Sequence, residues 1–276
     1  MRQAVRLAAC ALLLSWSGGA LAQQLENPRT DYTAYTRPRG RASVGLLKTD
    51  LGLIDEITIG TYPLPWILAL PIVKTTVPNL YAKVRSPWSS PFQLALGGSL
   101  LYVNAKALAQ LADQSADGYG ISTTASLDSS YRFNERFSLS LGFDYAHLGL
   151  YGEDPEASIE GASTTHTYST RLFGEWRFTR VFALSLLFRY LVYQSPTSAE
   201  GTSDNGAVMV TSDLTVEPTA RKRFTIVPGV SFEWERWELN AGIGYGVFYL
   251  PVLGLASTKA WPVVDLAFAY RFDLYH

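Results

Sequence analysis

A regular alternation of apolar and polar side chains runs through the middle of the chain. From Thr167 to Phe178 the even-numbered positions carry most of the aromatic and aliphatic residues, and the odd-numbered positions are polar or charged. After only Thr179 and Arg180 the alternation resumes and continues to Tyr190. A period of two is typical of a β-strand with one apolar and one polar face. This stretch is therefore predicted to be a β-hairpin.

The length of the strands separates two classes of β-protein. We predict four strands of about a dozen residues between Ile121 and Tyr193, whereas strands in soluble proteins average roughly five or six residues. A tilted strand needs roughly 9–11 residues to cross a bilayer. Aromatic residues stand at the ends of the apolar rows, as in transmembrane barrels. The pattern favours an all-β, antiparallel up-and-down barrel in a membrane, and a secreted soluble β-protein is the alternative.

Charged residues in the polar rows predict which face points inward. A charge in mid-strand needs water or an opposite charge, and lipid supplies neither. We therefore expect the apolar row to face lipid and the polar row to line the lumen, the interior of the barrel. The predicted lumen-lining residues are Lys83, Arg85, Asp128, Arg132, Asp144, Arg171, Glu175, Arg177, Arg189, Asp213, Glu233, Asp265 and Arg271. They either tune the selectivity of an open pore or pair with one another and close it.

The same alternation predicts about twelve strands, an even number as is usual for single-chain bacterial barrels. The expected strands lie near residues 42–48, 51–62, 79–85 and 92–103, in the four-strand stretch, and at 208–216, 224–234, 237–249 and 261–274. One feature conflicts with this count. The short connections near Asn134, Thr179 and Ala220 fall at one end of the barrel, and the short connection at Glu235 falls at the other. The prediction is therefore bounded at about 10–14 strands.

The N-terminus predicts export. Arg2 and Arg6 form a basic region, Leu7 to Trp16 is apolar, and Ala20-Leu21-Ala22 fits a cleavage site. We therefore assign residues 1–22 to a signal peptide, residues 23–40 to a polar N-terminal lead-in, and residues 41–276 to the barrel. The expected location is the outer membrane of a Gram-negative bacterium, where the barrel contacts lipid and lipopolysaccharide.

Composition narrows the list of partners. Cys10 is the only cysteine and lies in the predicted signal peptide, so the mature chain can form no internal disulfide. Removing the two arginines of the signal peptide changes the formal net charge from −1 to about −3. A weakly acidic chain is not expected to bind nucleic acid.

The N-terminal third resembles a known group of proteins. Its segments are residues 33–40, residues 52–61 with the sequence GLIDEITIGT, and residues 79–83. They are similar to the opening of Gram-negative outer-membrane barrels of a loosely defined, largely uncharacterised transporter-like or porin-like group, in which a turn like YGLTDRLEIGT precedes a strand carrying Asn and Lys. This chain has Leu51 where that group has an aromatic residue and Arg37 where it has an apolar one. The resemblance covers about 50 residues and implies the barrel architecture without a particular substrate.

An apolar segment interrupts the pattern. Leu64 to Val73 is apolar on all sides, but its prolines exclude a central strand and its length excludes a membrane-spanning helix. It is expected to lie at the membrane interface as a short helix or loop. A plug inside the lumen is the alternative.

The C-terminal strand carries features of outer-membrane assembly. Alternate residues from Leu266 to Leu274 are apolar or aromatic, as in the signal that barrel-assembly machinery recognises, although His276 replaces the usual terminal aromatic residue. Tryptophans are expected to anchor the barrel at the membrane interfaces. The predicted anchors are Trp66, Trp176, Trp234, Trp237 and Trp261.

The sequence gives little support for a catalytic site or a metal site. His147 and His166 flank an acidic loop and are expected near the outer rim of a hairpin. The chain has no Gly-x-Ser-x-Gly, no Cys/His zinc spacing, no P-loop and no dinucleotide fingerprint. We therefore predict no catalytic site, no metal and no cofactor, with a lipid-modifying enzyme as the weakest of three functions.

The two stronger functions are a channel and an anchor. A barrel with a polar, water-filled lumen would pass small solutes passively. A barrel whose lumen is closed would instead anchor periplasmic or surface partner proteins of an envelope-spanning assembly, such as secretion or surface-motility machinery. The sequence favours the channel.

Overall fold

The structure is a computed structural model that describes residues 29–67, 77–88, 90–104, 117–154, 159–195, 197–204, 209–216, 223–250 and 255–274. The predicted signal peptide and the C-terminal His276 lie outside these ranges. Almost all of the described chain is β-strand. The strands are β1 (Arg41–Gly45), β2 (Thr49–Ile54), β3 (Ile57–Thr61), β4 (Asn79–Arg85), β5 (Phe92–Asn104), β6 (Asp117–Arg132), β7 (Phe137–Asp154), β8 (Ile159–Arg177), β9 (Phe182–Gln194), β10 (Thr197–Asp204), β11 (Met209–Val216), β12 (Phe224–Trp234), β13 (Trp237–Leu250) and β14 (Leu255–Asp273).

Twelve of these strands form a closed antiparallel barrel. Strands β1 to β9 pair in sequence order, β9 pairs with β12, and β14 returns to β1. Strands β10 and β11 form a hairpin outside the ring, and β10 pairs with the first residues of β8. The predicted fold class and strand number are therefore confirmed.

Two strand assignments differ from the sequence prediction, and the two errors cancel in the count. The predicted strand at 51–62 is two strands, β2 and β3, joined at Asp55-Glu56. The predicted strand at 208–216 corresponds to β11, which lies outside the ring. A turn of two residues continues the alternation across the hairpin, so the period of two did not reveal the break.

The corrected strands place five turns at one end, whereas the three-residue connection of β1 and β2, residues 46–48, lies at the opposite end. The turns after β2, β4, β6, β8 and β12 and the start of β1 all lie at the first of these ends, which we call the short-turn end; we call the opposite end the long-loop end. The C-terminal end of β14 also lies at the short-turn end, because Arg41 pairs with Asp273. This arrangement matches outer-membrane barrels, whose periplasmic turns are short. The irregular connections of the sequence prediction are thereby explained.

The two faces of the wall have opposite character. On the outer face Leu96, Ile243 and Val264 are 64%, 72% and 62% exposed, whereas on the inner face Asp128 and Arg171 are 1% and 6% exposed. A water-soluble protein places its large apolar side chains on the inside. This barrel reverses that order, as expected where lipid surrounds the wall.

Aromatic rings mark two levels on the outer face. At the short-turn end, successive ring contacts run from Tyr131 to Phe232, including Phe137 with Trp176 at 6.3 Å. Nearer the long-loop end Tyr145 contacts Tyr168 at 5.0 Å. About ten residues of a tilted strand rise roughly 25 Å, the height of the apolar band of such barrels. None of the helices in the described ranges is long and apolar enough to span a bilayer.

Among the residues that the structure describes, the wall is incomplete beside β14. Strand β1 pairs only with Ala269–Asp273, although β14 begins at Leu255. Within the described part of the chain, no strand pairs with residues 255–267 on this side. Val264 and Leu266 on this edge are apolar and exposed on the outer face. We call this opening, above β1 and beside β14, the wall gap.

Candidate functional site

Residues 29–40, the inner segment, lie inside the lumen. Arg29 donates a hydrogen bond to Ser231 on β12 at 3.2 Å, and the backbone nitrogen of Ala34 donates to Ser130 on β6 at 2.7 Å. These partners lie on strands four positions apart in the twelve-strand ring, so the segment runs through the interior from one to the other. Ser130 and Ser231 both lie near the short-turn end of their strands. The part of the predicted lead-in that the structure describes is therefore a buried element in that half of the lumen.

The hairpin of β2 and β3 forms hydrogen bonds with the C-terminal end of the inner segment. The side chain of Thr36 donates to the carbonyl of Asp55 at 2.5 Å, and the backbone nitrogen of Arg39 donates to the carboxylate of Asp55 at 2.8 Å. The backbone nitrogen of Arg37 donates to Thr58 at 2.7 Å. The stretch that carried the family resemblance therefore holds the inner segment in place.

Lys83 connects the inner segment to the wall. Its ammonium donates to the carbonyl of Thr30 at 2.9 Å and also to the carbonyl of Thr33. The same ammonium lies 3.4 Å from Asp128. Asp128 in turn accepts from Arg171. The cations predicted on β4 and β8 therefore meet at one carboxylate.

Arg171 lies flat against the wall between two acids. It pairs with Asp144 as well as with Asp128. Gly142, opposite Arg171 in register, leaves the space for it, because a β-carbon there would lie 2.7 Å from the guanidinium carbon. Removing one partner from such a buried cluster would leave an uncompensated charge.

A second cluster involves residues that the sequence prediction did not include. Arg37 donates to Asp50 at 2.9 Å and lies 3.8 Å from Glu238. Lys48 lies 2.9 Å from Asp31 and 3.6 Å from Asp50. Burial disfavours the charged form of Asp31, but Lys48, together with Arg29 and Arg37, holds the pKa of Asp31 well below its usual value. Both ends of the inner segment are thus held by ion pairs.

A third cluster closes the short-turn end. Arg177 donates to Glu175 at 2.6 Å and to Glu233 at 2.9 Å, and Arg271 lies 3.5 Å from Glu233. Arg85 lies 4.0 Å from Glu56. Arg132 is partly buried and lies on the same face of β6 as Asp128. Some of these pairs lie within one strand and others join strands two positions apart in the ring, so cations and acids of the predicted set pair with one another here.

A cavity of about 890 Å³ lies in the lumen between the inner segment and the long-loop end. Arg29 and Tyr32 of the inner segment line one side of it, and Tyr62 and Leu64 of the connection after β3 line another. The lining continues through the wall gap to Leu266. The lumen therefore contains both an ion-pair network and an open compartment, the two alternatives that the sequence left open.

Other predicted residues occupy different positions. Trp176, Trp234 and Trp237 lie on the outer face near the short-turn end. Trp66 belongs to the helical residues 63–67, and its ring nitrogen donates to the carbonyl of Val77. Trp261 is 57% exposed, and the alternation along β14 places it on the same face as Asp265, so its role as an interface anchor stays a prediction.

The remaining predictions concern residues that lie outside the lumen or outside the described ranges. Residues 68–73, which are most of the apolar segment, and the side chain of Asp213 on β11 lie outside the described residues. His147 and His166 face each other across β7 and β8, with ring centroids 4.9 Å apart, and Tyr145 shares a hydrogen bond of 3.0 Å with His166. Among the described residues no group of three or more His, Cys, Asp or Glu side chains is placed to hold a metal.

Sequence reasoning missed Arg29, Asp31 and Arg37 because the inner segment has no periodicity. The sequence contained one indication of the buried segment, because this chain has Arg37 where the similar barrels have an apolar residue. A cation in the turn before the first strand indicates an acidic partner in the interior, which is Asp50. The partner itself depends on how the barrel closes, so the sequence alone did not identify it.

Comparisons with known proteins give similarities of fold only. No protein-family model matches the chain, and no curated protein matches it. A solved structure described as a TodX deltaS2S3 mutant monoaromatic hydrocarbon channel is similar with a TM-score of 0.44 and 11% identity, over 87% of this chain and 69% of that chain. A CymD monoaromatic hydrocarbon channel is similar with a TM-score of 0.33 and 10% identity, over 87% of this chain and 90% of that chain.

Proposed function

We propose that this protein is an outer-membrane channel for small solutes. The observation that carries the proposal is the cavity of about 890 Å³, which lies in the lumen above the inner segment. Binding compartments for small molecules typically enclose 300–1,000 Å³. Polar and charged side chains of the lumen give passing solutes hydrogen-bonding partners.

The inner segment acts as the closure of this channel. It fills the half of the lumen nearer the short-turn end and is held there by Lys83, Asp50 and the β2–β3 hairpin. Most of its contacts are ion pairs and hydrogen bonds, which water can replace when the segment moves, and Tyr32 adds a ring contact with Phe173 at 5.7 Å. Passage to the short-turn end then requires displacement of residues 29–40.

The wall gap offers apolar solutes a second exit. The cavity lining reaches Leu47, Leu266 and Phe268, whose side chains are exposed on the outer, apolar face. A solute with little hydration cost can leave the cavity sideways into lipid. This route would operate with the inner segment in place.

The same proposal includes the surroundings of the barrel. Outer-membrane lipid and lipopolysaccharide contact the apolar outer face between the aromatic rings. Strand β14, with apolar residues at alternate positions up to Leu274, is the element that barrel-assembly machinery would recognise. Periplasmic or surface partner proteins are expected only if the barrel is an anchor. An anchor does not need a compartment of this volume.

Reconstitution of the full chain in liposomes tests the channel. Swelling in isosmotic solutions of small sugars and amino acids is measured for the native protein and for Arg37→Met, which loosens the inner segment. We expect slow swelling with the native protein and faster swelling with the variant. Absence of solute flux and of ionic current in both proteins would overturn the proposal and favour the anchor.

A further inference from the structure

Arg189 is a buried cation without an acidic partner in the described part of the chain. It lies on the inner face of β9, is 9% exposed and lines the cavity. No described carboxylate lies within 4 Å of its guanidinium. Every other arginine or lysine that lines the cavity lies within 4 Å of a carboxylate; these are Arg29, Arg37, Lys48, Lys83 and Arg171.

Aromatic rings flank the guanidinium. Its central carbon lies 4.5 Å from the ring centroid of Tyr249 and 5.9 Å from that of Tyr32. Its Nε is buried and has no hydrogen-bond partner among the described residues. Cation–π contacts stabilise the charge but use none of the N–H donors. The planar fork therefore keeps donors for an anion that enters the cavity.

Apolar side chains adjoin this position. Leu187 lies two residues before Arg189 on the same face, and Val227 pairs with Leu187 in register. Val247 and Val263 line the same part of the cavity. Thr225, opposite Arg189, donates its hydroxyl hydrogen to the carbonyl of Val247. A ligand that reaches Arg189 therefore meets a guanidinium without a described acidic partner, with an apolar surface on one side and Arg171, which is paired with acids, opposite it in register on β8.

We infer that Arg189 is the recognition point for small monocarboxylates with an apolar or aromatic body. A guanidinium binds a carboxylate through two parallel hydrogen bonds, and the body of the ligand would cover Leu187, Val227 and Val247. Asp144 and Asp265 also line the cavity. A second carboxylate on the ligand would face these acids, so dicarboxylates are disfavoured. The inference rests on the proposed channel, which brings the ligand to the cavity.

Binding of model ligands to the detergent-solubilised full chain tests the site without requiring flux. Benzoate, benzyl alcohol, benzylamine and phthalate are compared by saturation-transfer NMR and calorimetry. We expect benzoate to bind at least about tenfold more tightly than the other three, as one charge-assisted pair provides. Equal binding of benzoate and benzyl alcohol would overturn the inference.

Variants assign the effect to one residue. Arg189→Gln should lose about tenfold in benzoate affinity, and Arg189→Lys, which keeps the charge but not the fork, should fall between Arg189→Gln and the native protein. Arg271→Gln removes a cation that does not line the cavity and should change affinity by less than about twofold. Heat-dependent gel migration checks folding, and if Arg189→Gln does not fold, the ligand comparison on the native protein still decides. Benzoate binding without liposome flux would overturn only the channel, whereas flux without discrimination would overturn only the Arg189 site.

Discussion

The backbone nitrogen of Gly40 lies 2.8 Å from the carbonyl oxygen of Gly52, so the end of the inner segment is bonded directly to the wall. A β-carbon on Gly52 would lie 2.7 Å from the carbonyl carbon of Pro38 and still closer to the carbonyl oxygens of Pro38 and Arg37. Only a residue without a side chain permits this approach. Gly52 therefore sets how closely the inner segment lies against β2.

Gly52→Ala should loosen the inner segment. The added methyl group overlaps backbone atoms that cannot move independently, and overpacking of this kind costs about 1–3 kcal/mol. We expect a larger single-channel current in planar bilayers and faster tryptic cleavage after Arg39, which precedes Gly40. Gly174→Ala is the matched control, because the nearest side-chain atom would lie 3.8 Å from its β-carbon. Equal currents for the two variants would contradict the role of Gly52.

Arg37→Met should destabilise the inner segment more than the double variant Arg37→Met/Asp50→Asn. The single change leaves Asp50 and Glu238 without their nearest arginine, whereas the double change also removes one of these charges. Breaking one side of a buried pair costs up to about 3–5 kcal/mol, and removing both partners costs less. Protection of backbone amides in residues 29–40 against hydrogen exchange measures the effect. Additive losses in the double variant would refute the coupling.

Alkaline pH should release the inner segment through Tyr32. Burial, together with Asp265, raises the pKa of Tyr32 to about 12, although Arg189 and Arg29 oppose the shift. A released tyrosine ionises near pH 10. The raised pKa therefore stabilises the buried position below pH 10, and this contribution is lost as the pH rises towards 12, by up to about 1.4 kcal/mol per pH unit. The current of the native protein should grow over this range, and that of Tyr32→Phe should grow less; identical profiles would exclude Tyr32.

An arginine substituted on the outer face should destabilise the protein more when its position lies deeper in the bilayer. Leu141 is 57% exposed and lies on β7 midway between Phe137 and Tyr145, which belong to the two aromatic levels. Phe133 lies in a turn at the short-turn end. Leu141→Arg should cost about 2–4 kcal/mol in lipid and Phe133→Arg at most about 1 kcal/mol. Urea unfolding in liposomes, followed by tryptophan fluorescence, measures both. Equal costs would mean that Leu141 does not face the hydrocarbon core.

The alternation along the chain predicted the wall well because a period of two is fixed by the geometry of the strand. It assigned Asp128, Arg171 and Glu175 to the inner face, where the structure places them. It could not identify the turn at Asp55-Glu56, since a two-residue turn preserves the alternation. It also could not separate the hairpin of β10 and β11 from the ring, because pairing partners are not encoded in the period.

The interior was less predictable than the wall. Which acid each cation meets depends on the register of neighbouring strands and on closure of β1 against β14, and both are long-range properties. Lys83 was assigned correctly to the inner face, but its bonds to Thr30 and Thr33 depend on a segment without any repeating pattern. Arg189 was grouped with the other lumen charges, because the sequence does not show that no described carboxylate lies within 4 Å of it.

The uneven height of the wall has a consequence for the surrounding bilayer. Strands β1 and β3 contain 5 residues each, whereas β8 and β14 contain 19. A tilted strand of that shorter length rises only about 13 Å, far less than the roughly 30 Å of hydrocarbon in a typical bilayer. Lipids beside β1 to β3 must therefore compress, or the whole molecule must lean, at a cost of a fraction of a kcal/mol per Å of mismatch. We therefore expect either a thinner bilayer on the side where the wall gap opens or a barrel tilted toward that side.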